Sequence, residues 1–371
     1  MSTRTRRDFI AQSGTLASAL AAVPLLGLPT SDAFAQGAKK KLGWALCGLG
    51  GLSENQIAPA LQKAQWSRLA GVITDTPAKA GKWKEKYGLS DKSIFTYDTM
   101  HQLADNPDID VIYIVTPNAL HADQAAAAFK AGKHVFCEKP MEVSVEKCQQ
   151  MINDAKAANR KLGVAYRCQY DPNHLECVRI ARAKEFGDIK IVESTFNVSI
   201  GDPGQWRLKR ALSGGGALMD VGIYALQATR YLTGEEPIEV TAIEGKTNPK
   251  KYAEVDESMV WQMRFPGGAI ANCSTSYETA LASRIRVHAT KGWFGLDPAF
   301  LYSGNRGARS DRKEINLPSD DLFKLEMDDF SRCILENRAS KVAGEEGLRD
   351  VQIMMAIYEA ARTGRAVKLK V

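Results

Sequence analysis

Leu42-Gly43-Trp44-Ala45-Leu46-Cys47-Gly48-Leu49-Gly50-Gly51-Leu52-Ser53 is an apolar run that stops abruptly in glycines. The run reads as a buried strand, and the glycines as a tight turn into the helix predicted over 56–64. Backbone N–H groups and a helix N-terminus in such a turn face a pyrophosphate. Ser53 stands where a third glycine is usual, and a small residue there still allows close helix–strand packing. Working outward, the same alternation repeats. Strands are expected at 69–74, 111–115, 134–137 and 162–165, and helices at 77–87, 122–131 and 145–158. Pro77 fits a first helical turn and Ser144 an N-cap. The unbroken apolar run Val111–Val115 is the mark of a strand covered on both faces. Repeated βαβ units give a doubly wound parallel sheet, an α/β Rossmann domain.

Beyond Tyr170 the texture changes. A helix at 172–184 and a strand at 189–198 precede a polar Gly/Pro loop at 201–216 and a helix at 221–232. Closely spaced strand-like runs at 238–243, 258–264, 269–277, 284–289 and 292–296 indicate a large, mostly antiparallel open sheet. Helices at 321–337 and 347–363 close this α+β half. The division expected is 1–35, 36–165 for the dinucleotide-binding domain, and 166–371 for a substrate and oligomerisation domain.

Residues 1–35 read as an address. Arg6-Arg7-Asp8-Phe9-Ile10 is a twin-arginine pattern, an apolar stretch follows from Leu16 to Leu28, and Ala33-Phe34-Ala35 suits a cleavage site before Gln36. Pro24, Gly27 and Pro29 break that stretch too early for a membrane span. The expected partner is the twin-arginine translocation machinery, and the expected location the periplasm, with no membrane attachment after cleavage. The 44% apolar and 25% charged composition is that of a globular protein, and the net charge of +6 is scattered rather than gathered into a nucleic-acid stripe. Seven cysteines without CxxC or regular spacing argue for buried thiols, although Cys168 and Cys177 could approach each other. The five dispersed histidines form no metal motif, so no metal is expected.

The residues that carry chemistry sit at the carboxyl ends of the predicted strands, where open α/β sheets bind ligands. Gly48, Leu49, Gly50 and Leu52 form the dinucleotide turn. Asp75 could accept ribose hydroxyls and so favour NAD, whereas Thr74, Thr76, Lys79 and Lys82 could grip the extra phosphate of NADP, and both remain open. Thr116-Pro117-Asn118 with His121 follows the central strand and could touch the nicotinamide side. Glu138-Lys139-Pro140 ends the strand at 134–137. Asp220 and Tyr224, four apart on a helix, share one face. The glycines Gly214–Gly216 before them would let backbone approach a ligand. A tyrosine needs help to act as a base near neutral pH, and Lys139 could supply it. Lys139, Tyr224 and Asp220 are therefore the candidate acid–base set for moving a proton off a hydroxyl. Trp206 and Arg207 could pack on a nicotinamide or sugar ring.

The combination of Cys137–Met141, Gly163–Tyr170, Gln205–Arg210, Gly214–Tyr224 and Thr229–Val240 resembles the Gfo/Idh/MocA oxidoreductases, and within them the glucose–fructose oxidoreductase branch, where tyrosine takes the place of the more frequent histidine at Tyr224. The resemblance implies that Tyr224 donates and accepts the proton while Lys139 and Asp220 arrange a sugar. It also implies that Arg167, Trp206, Arg207 and Tyr302 contact a tightly held NADP or NAD. A retained cofactor implies ping-pong chemistry, in which one aldose is oxidised at its anomeric carbon to a lactone and a second carbonyl sugar is reduced. A homo-oligomer, dimer or tetramer, is implied as well. The competing readings are a sugar or polyol dehydrogenase that exchanges free NAD(P), an NAD-dependent glycosidase of the same fold, and a non-catalytic sensor.

Overall fold

The computed structural model describes residues 41–369. The twin-arginine pattern and the cleavage site at Gln36 lie outside them. No helix among the described residues is long and apolar enough to cross a membrane.

Six parallel strands form the first sheet: β1 (Leu42–Cys47), β2 (Ser67–Ile73), β3 (Ile94–Phe95), β4 (Val111–Ile114), β5 (His134–Glu138) and β6 (Leu162–Ala165). Their order is β3-β2-β1-β4-β5-β6. The chain reverses direction across the sheet between β1 and β4, which opens a crevice at their carboxyl ends. Helices α1 (Ala58–Lys63), α2 (Pro77–Tyr87), α3 (His121–Lys130) and α4 (Val145–Ala157) connect the strands. Ser144 caps α4 by accepting from the Lys147 N–H. The first helix begins earlier than its periodicity predicts, because a wide π-type turn over Ser53–Ile57 leads into α1. Strand β3 has only two residues, too few to show a strand pattern.

The second sheet has nine strands: β7 (Ile189–Ser199), β8 (Glu239–Gly245), β9 (Ser258–Arg264), β10 (Ile270–Ser276), β11 (Glu278–Ala289), β12 (Gly292–Leu296), β13 (Gly307–Arg309), β14 (Glu314–Ile315) and β15 (Val367–Lys368). Only β7 and β10 run parallel, and every other pair is antiparallel. Along β9 the side chains of Met259, Trp261 and Met263 are buried and those between them are not. That alternation marks one covered face and one open face. Helices α5 (Pro172–Arg182), α7 (Ile223–Thr233) and α9 (Gly344–Thr363) pack on the covered side, and α6 (Arg210–Ser213) is a single turn before α7.

Helix α8 (Leu322–Leu335), although late in the chain, packs against the first sheet. Trp44 meets Tyr113, Phe136 and Phe330 edge-on at 5.6–6.0 Å, and its indole N–H donates to Ser331 at 3.0 Å. Asp328 accepts from the backbone N–H groups of Gln65 and Trp66 at 2.8 Å and from Ser67 Oγ at 3.0 Å. Asp328→Leu removes these three bonds at once. It is expected to lower stability by about 2–4 kcal/mol, read as a drop in the urea midpoint at unchanged slope.

Candidate active site

Gly48 leaves β1 at φ +97°, and a Cβ there would lie 2.8 Å from Thr116 Cγ2. Only glycine fits. Beyond it, no atom would lie within 4 Å of a Cβ at Gly50, which opens on the crevice. The buried Ser53 hydroxyl donates to Gly48 O at 2.6 Å, so serine closes the turn from inside. A glycine cradle, open space before Gly50 and a helix start fit the diphosphate of a dinucleotide.

The crevice holds about 670 Å³ and runs from Gly50, Gly51 and Leu52 past Thr116, Asn118, Glu138 and Lys139 to Asp220 and Tyr224. Of the other residues expected to face a cofactor, Arg167, Trp206, Arg207 and Tyr302 line it. Thr74, Asp75 and Lys79 stand outside it, near the end of β2. Thr74 is buried, and Asp75 is exposed and accepts from the Tyr97 N–H at 2.8 Å. Leu49 and Gly48 are buried behind the turn, and Pro117 sits between Thr116 and Asn118 without lining the crevice.

His121 is a correction. It is fully buried, with Nε2 2.9 Å from Thr116 O and Nδ1 3.2 Å from Pro140 O and Met141 O, so it braces two loops from behind. Burial also pulls its pKa down, which suits a structural imidazole. Asn118 reaches across to donate to Ser213 O at 2.8 Å. The glycines before Asp220 are a second correction. They make room for protein, since a Cβ on Gly216 would lie 1.9 Å from Asp256 O. Asp256 then accepts from the Gly216 and Leu218 N–H groups at 2.6 and 2.8 Å.

That anchored turn continues as a π-type turn over Leu218–Gly222, directly before α7. Such turns are frequent where a helix must present a functional side chain. Here it aims Asp220 at the end of β5. Lys139 Nζ donates to Asp220 O at 2.7 Å and to Oδ1 at 3.2 Å. Arg207 Nε and Tyr277 OH both donate to Oδ2 at 2.9 Å. Burial by itself would raise the Asp220 carboxyl, but the Arg207 and Lys139 charges outweigh it and hold the group well below the usual carboxylate range.

Tyr224 packs edge-on to Phe196 at 5.5 Å and beside Phe300 at 5.9 Å. Two cations lie near its ring: Lys139 Nζ at 4.9 Å and Arg167 Cζ at 4.8 Å from the centroid. Arg167 is sandwiched between Tyr224 and Tyr302, and its guanidinium donates to Leu301 O at 2.9 Å and Phe300 O at 2.6 Å. Burial pushes the Tyr224 phenol above its ordinary value, and Arg167 is the main opposing charge. The expected helper, Lys139, is instead engaged by Asp220. The phenol is therefore an acid, poised to donate a proton.

Tyr277, Phe196 and Phe300 escaped the sequence reading. Phe196 lies inside β7, Tyr277 directly follows β10 and Phe300 follows β12, with nothing local to set any of them apart from a core aromatic.

The geometry defines a dinucleotide-dependent oxidoreductase, and similarity to known proteins agrees. Residues 42–166 match the family described as "Oxidoreductase family, NAD-binding Rossmann fold", and residues 174–295 match the "GFO/IDH/MocA C-terminal domain". The chain belongs to the Gfo/Idh/MocA oxidoreductase family. It is similar to D-xylose 1-dehydrogenase [NADP(+)] of Haloarcula marismortui, with 30% identity across 88% of this chain and 92% of that one. It is 26% identical to 1,5-anhydro-D-fructose reductase of Ensifer adhaerens, across 88% of this chain and 98% of the relative. Among solved structures, aldose-aldose oxidoreductase from Caulobacter crescentus, complexed with glycerol, is 40% identical with a TM-score of 0.86, covering 89% of this chain and all of that one. The enzyme uses a nicotinamide dinucleotide, NAD or NADP.

Proposed function

We propose that the enzyme oxidises an aldose at its anomeric carbon to a lactone and reduces a second carbonyl sugar with the same retained cofactor. The observation that carries this reading is the meeting of Lys139, Asp220 and Tyr224 in one crevice with the glycine turn. Likeness to an aldose-aldose oxidoreductase over almost the whole chain supports it. The bound dinucleotide would supply the hydride acceptor at its nicotinamide ring, and Gly50, Gly51 and Leu52 would hold its diphosphate. Lys139 and Asp220 orient the reacting hydroxyl, and Tyr224 carries its proton. Trp206, Arg207 and Tyr302 wall the crevice beside them.

The same reading places the mature enzyme in the periplasm after twin-arginine export and loss of residues 1–35. A cofactor acquired in the cytoplasm would then have to stay bound. The open face of the second sheet, which carries Ile191, Val260 and Ile270 exposed, supports self-association. Native mass spectrometry of the protein isolated from its own cells tests these points together. The expected species is an oligomer of chains starting at Gln36, each with one nicotinamide nucleotide whose mass separates NAD from NADP. Chains without nucleotide that gain no activity from added NAD or NADP contradict the proposal.

A second reading, a dehydrogenase that exchanges free cofactor, takes support from the likeness to a D-xylose 1-dehydrogenase. Steady turnover of one sugar with added cofactor and no second carbonyl compound would favour it.

A further inference from the structure

Beneath the crevice wall, Tyr113 of β4 joins two carboxyl groups. Its hydroxyl lies 2.8 Å from Glu138 Oε1, at the end of β5, and 3.2 Å from Glu326 Oε1, on α8. Tyr113 and Glu326 are fully buried and Glu138 nearly so. A phenol has one proton and can donate to one of these oxygens only. Were both carboxyls ionised, the second contact would set an anion against an oxygen lone pair inside the protein. One carboxyl must therefore carry a proton and donate it to Tyr113.

The surroundings say which. Glu138 has the shorter contact, and its other oxygen accepts from the Lys139 N–H at 3.2 Å. Glu326 Oε2 has no hydrogen-bond partner, a position that a neutral carbonyl oxygen tolerates far better than an anion. Burial raises both carboxyls, but the Lys139 charge opposes it at Glu138, whereas at Glu326 the nearby Glu138 charge adds to it and carries the group well above its ordinary value.

We propose that the chain runs Glu326 O–H to Tyr113 O–H to Glu138 carboxylate, and that Glu138 so held is the anion that makes this site bind the oxidised, cationic nicotinamide in preference to the reduced, neutral one. Glu138 lines the crevice beside Lys139, whereas Tyr113 and Glu326 lie behind it and act through it. The preference rests on the dinucleotide reading above, but the proton assignment does not.

Infrared spectroscopy of the ligand-free protein near neutral pH tests the assignment. The difference spectrum of wild type minus Glu326→Gln should show the carbonyl band of one protonated carboxyl. A difference spectrum without that band overturns the assignment whether or not the enzyme acts on sugars. Redox titration of the nucleotide that the protein retains, which reads the ratio of its affinities for the oxidised and reduced forms, tests the consequence. Glu138→Gln should lose about tenfold of the preference for the oxidised form, as one nearby charge warrants. Glu326→Gln, which keeps a neutral donor to Tyr113, should retain the preference. A preference that rises in Glu326→Gln would place the proton on Glu138 and sink the proposal, as would an unchanged preference in Glu138→Gln.

Discussion

Tyr224→Phe is expected to bind nicotinamide nucleotide as the wild type does while losing about 10²–10⁴-fold in kcat, the range for removing a positioned acid–base group. The ring contacts to Phe196, Phe300 and Arg167 involve the aromatic body, which phenylalanine keeps. The loss should therefore fall on kcat rather than on folding or nucleotide affinity. The pH dependence has a definite sign. Burial raises the phenol, so Tyr224 holds its proton through neutral pH. Carbonyl reduction, which needs the acid, should stay level through neutral pH and decline only in alkali. Alcohol oxidation, which needs the phenolate, should rise with pH, and both limbs should vanish in Tyr224→Phe. A variant with more than a tenth of wild-type kcat would remove Tyr224 from the chemistry.

Lys139→Met is expected to cost about 100-fold or more in kcat/KM, comparable to deleting one preorganised charged donor. Two hydrogen bonds to Asp220 disappear, and the carboxylate is left with Arg207 and Tyr277. With one of its two cations gone, Asp220 should titrate at higher pH. The acid side of the activity profile should then move upward, and that shift separates loss of the ion pair from simple loss of substrate contact. Lys139→Arg should restore charge but little activity, since a planar fork cannot reach both the Asp220 carbonyl and its Oδ1 as the ammonium does. Full activity in Lys139→Arg would mean that charge alone suffices.

The Rossmann half was legible because β1, β4, β5 and β6 are short apolar runs buried on both faces and α4 buries Cys148, Met151, Ile152 and Ala155 at helical spacing. The second sheet was legible in outline, since its strands alternate and lie close together. What the sequence hid were short elements and long-range partnerships. β3 and β13–β15 have two or three residues each, too few for alternation to register. Nothing local to α8 says that Asp328 and Phe330 will return to the first sheet. At the site, Lys139, Asp220 and Tyr224 stood out because such residues have little reason to end a buried strand or begin a buried helix. The charge geometry did not stand out. Arg167, rather than Lys139, is the main charge opposing burial of the phenol, and the Gly214–Gly216 triplet makes room for Asp256 and Tyr358 rather than for a ligand. His121 misled because a histidine after a central strand looks the same in sequence whether it faces the crevice or braces it.

The proposed function turns on direct passage of the anomeric hydrogen of an aldose to the nicotinamide of the bound dinucleotide. A single turnover of the purified enzyme with an aldose deuterated at C1 follows that atom. The expected result is one deuterium per site on C4 of the reduced nicotinamide, none lost to water, and no transfer in Tyr224→Phe. Deuterium released to solvent, or a nicotinamide that stays unlabelled while the sugar is consumed, would contradict it.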